Sequence, residues 1–176
     1  MNRWIFLLRG VTPVGKGKVP MARLREEMTV AGFQNTRTWI QSGNAIVDTE
    51  LDRMDARKLA EAVLKDKMGA ELAVITVSAE EIKQVLQENP FKELPLERIF
   101  FGLFNQKLEK EKADALVNMD FGEDLIRIYD WMLYCFIPGS AARSKMNNAY
   151  LQRKLGVTLT MRNANTLNKL VEMASE

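Results

Sequence analysis

Asn89-Pro-Phe-Lys-Glu-Leu-Pro-Leu-Glu97 lies near the middle of a 176-residue chain and divides it. Pro90 and Pro95 each lack a backbone N–H and push the preceding residue out of helical geometry, so no helix or inner strand runs through this stretch. The elements on its two sides repeat. Upstream, a strand Trp4 to Arg9 stops at Gly10, and Pro20 fits the first turn of a helix on which Leu24, Met28 and Ala31 share a face. Arg37 to Ile40 and Ala45 to Val47 flank Ser42-Gly43-Asn44, a hairpin turn. A helix marked by Leu59, Ala62 and Val63 closes at Gly69, and Leu72 to Val77 is a fourth strand. Ser78-Ala-Glu-Glu81 then forms a capping box for a trailing helix with Ile82, Val85 and Leu86 inward.

Downstream the same order returns: strand Ile99 to Phe104, helix Glu109 to Asn118, hairpin Leu125 to Ile137, helix Lys145 to Leu155, strand Thr158 to Met161. Leu167, Leu170, Val171 and Ala174 mark a terminal helix. Right-handed crossovers joined through a hairpin give strand order 4-1-3-2 in an antiparallel sheet. The expected fold is therefore mixed α/β (α+β), two tandem ferredoxin-like β-α-β-β-α-β units with packed helices, residues 1–89 and 90–176. In the first unit the loop Gly10 to Val19 and the hairpin Gln41 to Asn44 leave the sheet at one edge. The second unit has Asp130-Trp131 at its hairpin and no glycine-lysine loop, so a site is expected on the first.

Histidine is absent, which excludes Ser-His, Cys-His and His-zinc chemistry. The lone Cys135 falls inside a strand and reads as a small hydrophobe. No apolar run reaches the length of a membrane span, and a cytoplasmic location with no membrane partner is expected. The net charge is only +2, but it is unevenly placed. Residues 1–25 hold Arg3, Arg9, Lys16, Lys18, Arg23 and Arg25 without an acid, and residues 140–171 hold Arg143, Lys145, Arg153, Lys154, Arg162 and Lys169, again without one. Such blocks focus an anion-attracting field if the fold gathers them, and are solvated surface if it does not.

Gly10-Val-Thr-Pro-Val-Gly15-Lys16 matches a phosphate-binding loop except at its last position, where Gly17 supplies no hydroxyl for magnesium. The looser expectation is a glycine-rich turn that holds an anion beside Arg9, Gly10, Lys16 and Lys18. Gln41, Ser42 and Asn44 read first as a bare hairpin tip, and beside the basic loop they would also add hydrogen-bonding groups for a polar ligand. Near the C-terminus Arg162, Asn163, Asn165 and Lys169 surround a helix start, where Asn163 or Asn165 serves as a cap and the free N–H groups favour an anion. Trp4, Trp39 and Trp131 read as core, and Phe100, Phe101 and Phe104 invite comparison with base-stacking sheets but lack the basic-aromatic signature of RNA-recognition domains.

Leu7-Leu-Arg-Gly10, Gly15-Lys16, Lys18-Val-Pro-Met21, Ile40-Gln-Ser-Gly-Asn44 and Thr160 to Leu170 resemble a bacterial family, domain of unknown function 1697. The resemblance implies an α/β fold and no established reaction. Against the family pattern Thr12 and Gly17 each replace Asn, and Ala164 replaces Trp. The best reading is a binding protein for a phosphate-bearing ligand, a nucleotide or nucleic acid, with no resident cofactor or metal. An enzyme for a small anionic substrate and a protein interaction module are the alternatives, and monomer and homodimer are equally open.

Overall fold

Strand β1 (Asn2–Arg9) is apolar on both faces: Phe6 and Leu8 point to one side, Ile5 and Leu7 to the other, and all four are buried. A strand of this kind must lie at the centre of a sheet. In the computed structural model, which describes residues 1–176, it pairs antiparallel with both β3 (Asn44–Thr49) and β4 (Ala73–Val77), and β2 (Gln34–Trp39) adds outside β3. The order is β2-β3-β1-β4, the split arrangement expected from the sequence. Helices α1 (Met21–Val30) and α2 (Arg53–Met68) cover the Phe6/Leu8 face, contributing Met21, Leu24 and Met28, and Ala56, Ala60, Val63 and Leu64, to one core. Phe33 closes that core edge-on to Phe6, with ring centroids 5.5 Å apart.

The second set repeats the plan. Strands β5 (Ile99–Phe104), β6 (Leu125–Ile128), β7 (Met132–Phe136) and β8 (Leu159–Asn163) form a sheet of order β6-β7-β5-β8, with α4 (Lys110–Val117) and α5 (Asn148–Leu155) in the crossovers. Phe104, Leu133, Cys135, Leu151, Leu155 and Leu159 make its core. Gly102 stands where a Cβ would come within 2.7 Å of Leu133, so a side chain there would break the β5–β7 contact. Burial pushes the Cys135 thiol pKa up, which keeps it protonated and unreactive. Phe101 and Phe104 are buried and Phe100 packs against the core, so these rings are no stacking platform.

Two further helices complete the chain, α3 (Ala79–Gln87) and α6 (Ala164–Ala174). The chain divides into two compact units, Met1–Ile82 with Lys169–Glu176, and Lys83–Asn168. Between Gln87 and Ile99 the proline-containing stretch forms turns: Asn89 Oδ1 accepts from the Phe91 N–H at 2.9 Å, and Phe91 packs on Phe136. The capping box is reciprocal, since Ser78 N–H donates to Glu81 and Glu81 N–H donates to Ser78 Oγ at 2.8 and 3.2 Å. Ser78→Ala is expected to cost about 1 kcal/mol in urea denaturation, with the slope unchanged.

Several local expectations shift. The inner face of α2 is Ala56, Ala60, Val63 and Leu64, at i, i+4, i+7 and i+8, whereas Ala62 is exposed; Asp52 caps the helix by accepting from the Asp55 N–H. Helix α5 begins at Asn148, not Lys145, with Asn147 Oδ1 accepting from the Tyr150 N–H. The three tryptophans are only half-buried: Arg53 lies over Trp4 and Lys169 over Trp39. In the first hairpin β2 stops at Trp39, and Ile40 and Gly43 take positive φ. Asn44, expected in the turn, is the first residue of β3; it is fully buried, and its amide donates to Trp39 O and Ser42 Oγ.

Candidate functional site

The edge at which β1 ends and the first hairpin turns is built by three close approaches. Gly10 leaves the sheet with φ +92°, a conformation that L side chains rarely adopt. The chain from Val11 to Lys18 then closes on itself: Thr12 N–H donates to Gly17 O at 2.9 Å, Lys18 N–H to Gly15 O at 3.2 Å, and the Thr12 hydroxyl to Val14 O at 2.7 Å. A Cβ on Gly17 would lie 2.5 Å from Gly10 O and 2.7 Å from Thr12 Oγ1. Thr12 and Gly17 thus pack against each other, with no room for a side chain at position 17. The hairpin tip docks alongside. Leu8 N–H donates to Gly43 O at 2.8 Å, and a Cβ on Gly43 would meet Val11 at 2.6 Å and Leu8 at 2.8 Å.

Between loop and hairpin lies a cleft of about 510 Å³ lined by Val11, Thr12, Pro13, Lys18, Val19, Pro20, Gln41 and Ser42. This size suits a small organic ligand. Half of the lining is aliphatic, and no carboxylate, thiol or phenol belongs to it. Lys18 and Gln41 are exposed, and the Lys18 ammonium enters no ion pair. Pro20 also stands at the N-cap of α1, whose first turn has neither a capping side chain nor an acid. Pro20 itself carries no N–H, and the first-turn residues of α1 lie outside the lining, so Lys18 is the positive group of that wall. Ile40, on the hairpin side, is β-branched with φ +49°, a strained conformation for such a residue.

The remaining predicted residues are distributed differently. Lys16 lies in a 3₁₀ turn, Gly15–Gly17, fully exposed and outside the cleft lining. Arg9 is half-buried, with its Nε shielded from solvent and unpartnered, and does not line the cleft either. Lys169 belongs to the first unit but donates to Glu172 at 2.6 Å and covers Trp39. Arg162 belongs to the second unit, where it donates to Thr160 Oγ1 and Met161 O. Asn163 Oδ1 accepts from the Thr166 N–H at 2.9 Å and so caps α6. Asn163 and Asn165 line a smaller cleft of about 260 Å³ with Leu96, Glu97 and Ala164, where Glu97 brings negative charge. Sequence reasoning passed over Val11, Pro13, Val19 and Pro20; their signal was a cluster of aliphatic residues and prolines in a loop that has no core of its own.

Residues 1–134 match the family model described as Protein of unknown function (DUF1697), three-quarters of the chain and all of the cleft. The chain belongs to this family. A solved structure, that of the conserved bacterial protein SP0830 from Streptococcus pneumoniae, is similar over 99% of this chain and 98% of its own, with 22% identity and a TM-score of 0.76. That likeness establishes the shared fold. No protein of curated function matches the chain. No helix is long and apolar enough to cross a membrane.

Proposed function

We propose that this DUF1697 protein binds a small phosphate-bearing ligand in the cleft between the Gly10–Val19 loop and the Ile40–Gly43 turn. The observation that carries the reading is the cleft itself, in which an unpaired Lys18 stands on one wall and Gln41 and Ser42 on the other. An ammonium favours a phosphate oxygen, and the carboxamide and hydroxyl suit the polar edge of a nucleotide-sized body. A binding role is favoured over an enzymatic one because the lining holds no carboxylate, thiol or phenol to pair with Lys18.

A thermal-shift screen of nucleotides and phosphorylated metabolites tests this. A cleft ligand at about 100 times its dissociation constant raises stability by about 2.7 kcal/mol. Lys18→Ala is expected to weaken the hit about tenfold while leaving the unliganded midpoint unchanged, because the side chain is exposed and unpaired. If no phosphate-bearing compound shifts the midpoint, the reading is wrong.

A further inference from the structure

We infer that the cleft selects a ligand carrying one phosphate on a flat apolar body, a nucleoside monophosphate in preference to a triphosphate or a nucleic-acid strand. This rests on reading the cleft as a phosphate-ligand site, and it follows from where the positive charge of the first unit goes. Of the six cations in residues 1–25, three are engaged away from the cleft. Arg3 holds Asp48, Arg23 bonds Lys67 O and approaches Glu27, and Arg25 donates to Thr38 Oγ1. Arg9 and Lys16 lie outside the lining, and Lys169 is paired with Glu172. One cation, Lys18, remains in the cleft.

A polyphosphate or a strand needs several cations along its path, and each neutralised phosphate steepens the salt dependence. One ammonium matches one phosphate. The rest of the surface is set for an uncharged body: Val11, Pro13 and Pro20 present aliphatic area over the buried Val19, and Gln41 offers both a donor and an acceptor. No aromatic ring lines the cleft, so a run of stacked bases has no platform there. A single base laid against Val11 and the two prolines covers that area, whereas a sugar phosphate leaves it wet.

Calorimetric titration of the full chain with the four ribonucleoside monophosphates, their triphosphates, ribose 5-phosphate and a single-stranded oligonucleotide at two salt concentrations separates these cases. The expected result is that at least one monophosphate binds about tenfold or more tighter than ribose 5-phosphate, with its triphosphate no more than about threefold better. Pro13→Ser, at an exposed position, is expected to weaken the monophosphate severalfold and leave ribose 5-phosphate unchanged. Ribose 5-phosphate binding as tightly as every monophosphate would overturn the inference while sparing the phosphate-ligand reading. So would a triphosphate or oligonucleotide that binds far tighter with a steep salt slope. Binding by none of the probes would end both.

Discussion

Gly43→Ala is expected to destabilise the first unit by about 3 kcal/mol and to abolish ligand binding in the cleft. Two independent costs combine. Gly43 has φ +87°, where a Cβ crowds the following carbonyl, a penalty of about 1 to 2 kcal/mol. In addition, the new methyl would sit 2.6 Å from Val11 Cγ2 and 2.8 Å from Leu8 Cβ, so the hairpin must lift off β1. Forcing a methyl into packed surroundings costs about 1 to 3 kcal/mol more. Lifting the turn also breaks the bond from Leu8 N–H to Gly43 O and moves Gln41 and Ser42 away from Lys18. Gly122→Ala is the control: Gly122 has φ +67° with nothing within 4 Å, so it pays only the backbone term. Urea denaturation of both variants separates strain from steric exclusion, and equal losses would show that the hairpin contact is worth nothing.

Asp48→Asn is expected to cost about 2 to 3 kcal/mol at neutral pH and to flatten the acid limb of the stability profile. Asp48 is 5% exposed on β3, directly across from Arg3 on β1. Arg3 donates to it through Nε and Nη2 at 2.7 and 2.9 Å, and Asn35 Nδ2 adds a third bond at 2.9 Å. The same guanidinium donates to Ala174 O at 2.8 Å, which ties the last turn of α6 to the first sheet. Removing the charge leaves Arg3 without its partner, and the cost stays below that of a fully buried pair because the Arg3 side chain is 34% exposed. The hydrogen bonds from Arg3 hold the Asp48 carboxyl below its ordinary pKa, in spite of the opposing effect of burial. A depressed folded-state pKa means that the stabilisation is fully present above the unfolded value near pH 4 and disappears as pH falls through the lower, folded value. Urea midpoints from pH 7 to pH 2 should therefore fall more steeply below about pH 4 in the native chain than in Asp48→Asn. Parallel curves would contradict the coupling.

The fold was legible because its signals are local and repeat. Two prolines break the chain, Ser78 and Glu81 cap a helix reciprocally, and Gly69 ends α2 with φ +66°. Details that depend on side-chain placement were not. Asn44 has the composition of a turn residue, but a buried amide with two acceptors in reach is more stable in the strand, and Ile40 takes the positive φ instead. For the site, sequence order indicates that the loop and hairpin leave one edge, and Lys18, Gln41 and Ser42 line one cleft. It does not indicate which cations remain unpaired: Arg3 and Asp48 are far apart in sequence, and Lys169 reaches Trp39 only once α6 has folded onto the sheet. The aliphatic lining stayed hidden for the same reason, since Pro13 and Val19 are ordinary loop residues until the hairpin faces them.

The most direct test of the cleft as the ligand site is a ¹H–¹⁵N correlation titration of the full chain with the ribonucleoside monophosphate that gives the largest thermal shift. Saturable shifts confined to amides of Val11, Thr12, Lys18, Val19, Gln41, Ser42 and the first turn of α1 are expected, and their loss in Lys18→Ala. Shifts centred instead on residues 83–168, or shifts that survive Lys18→Ala undiminished, would contradict it.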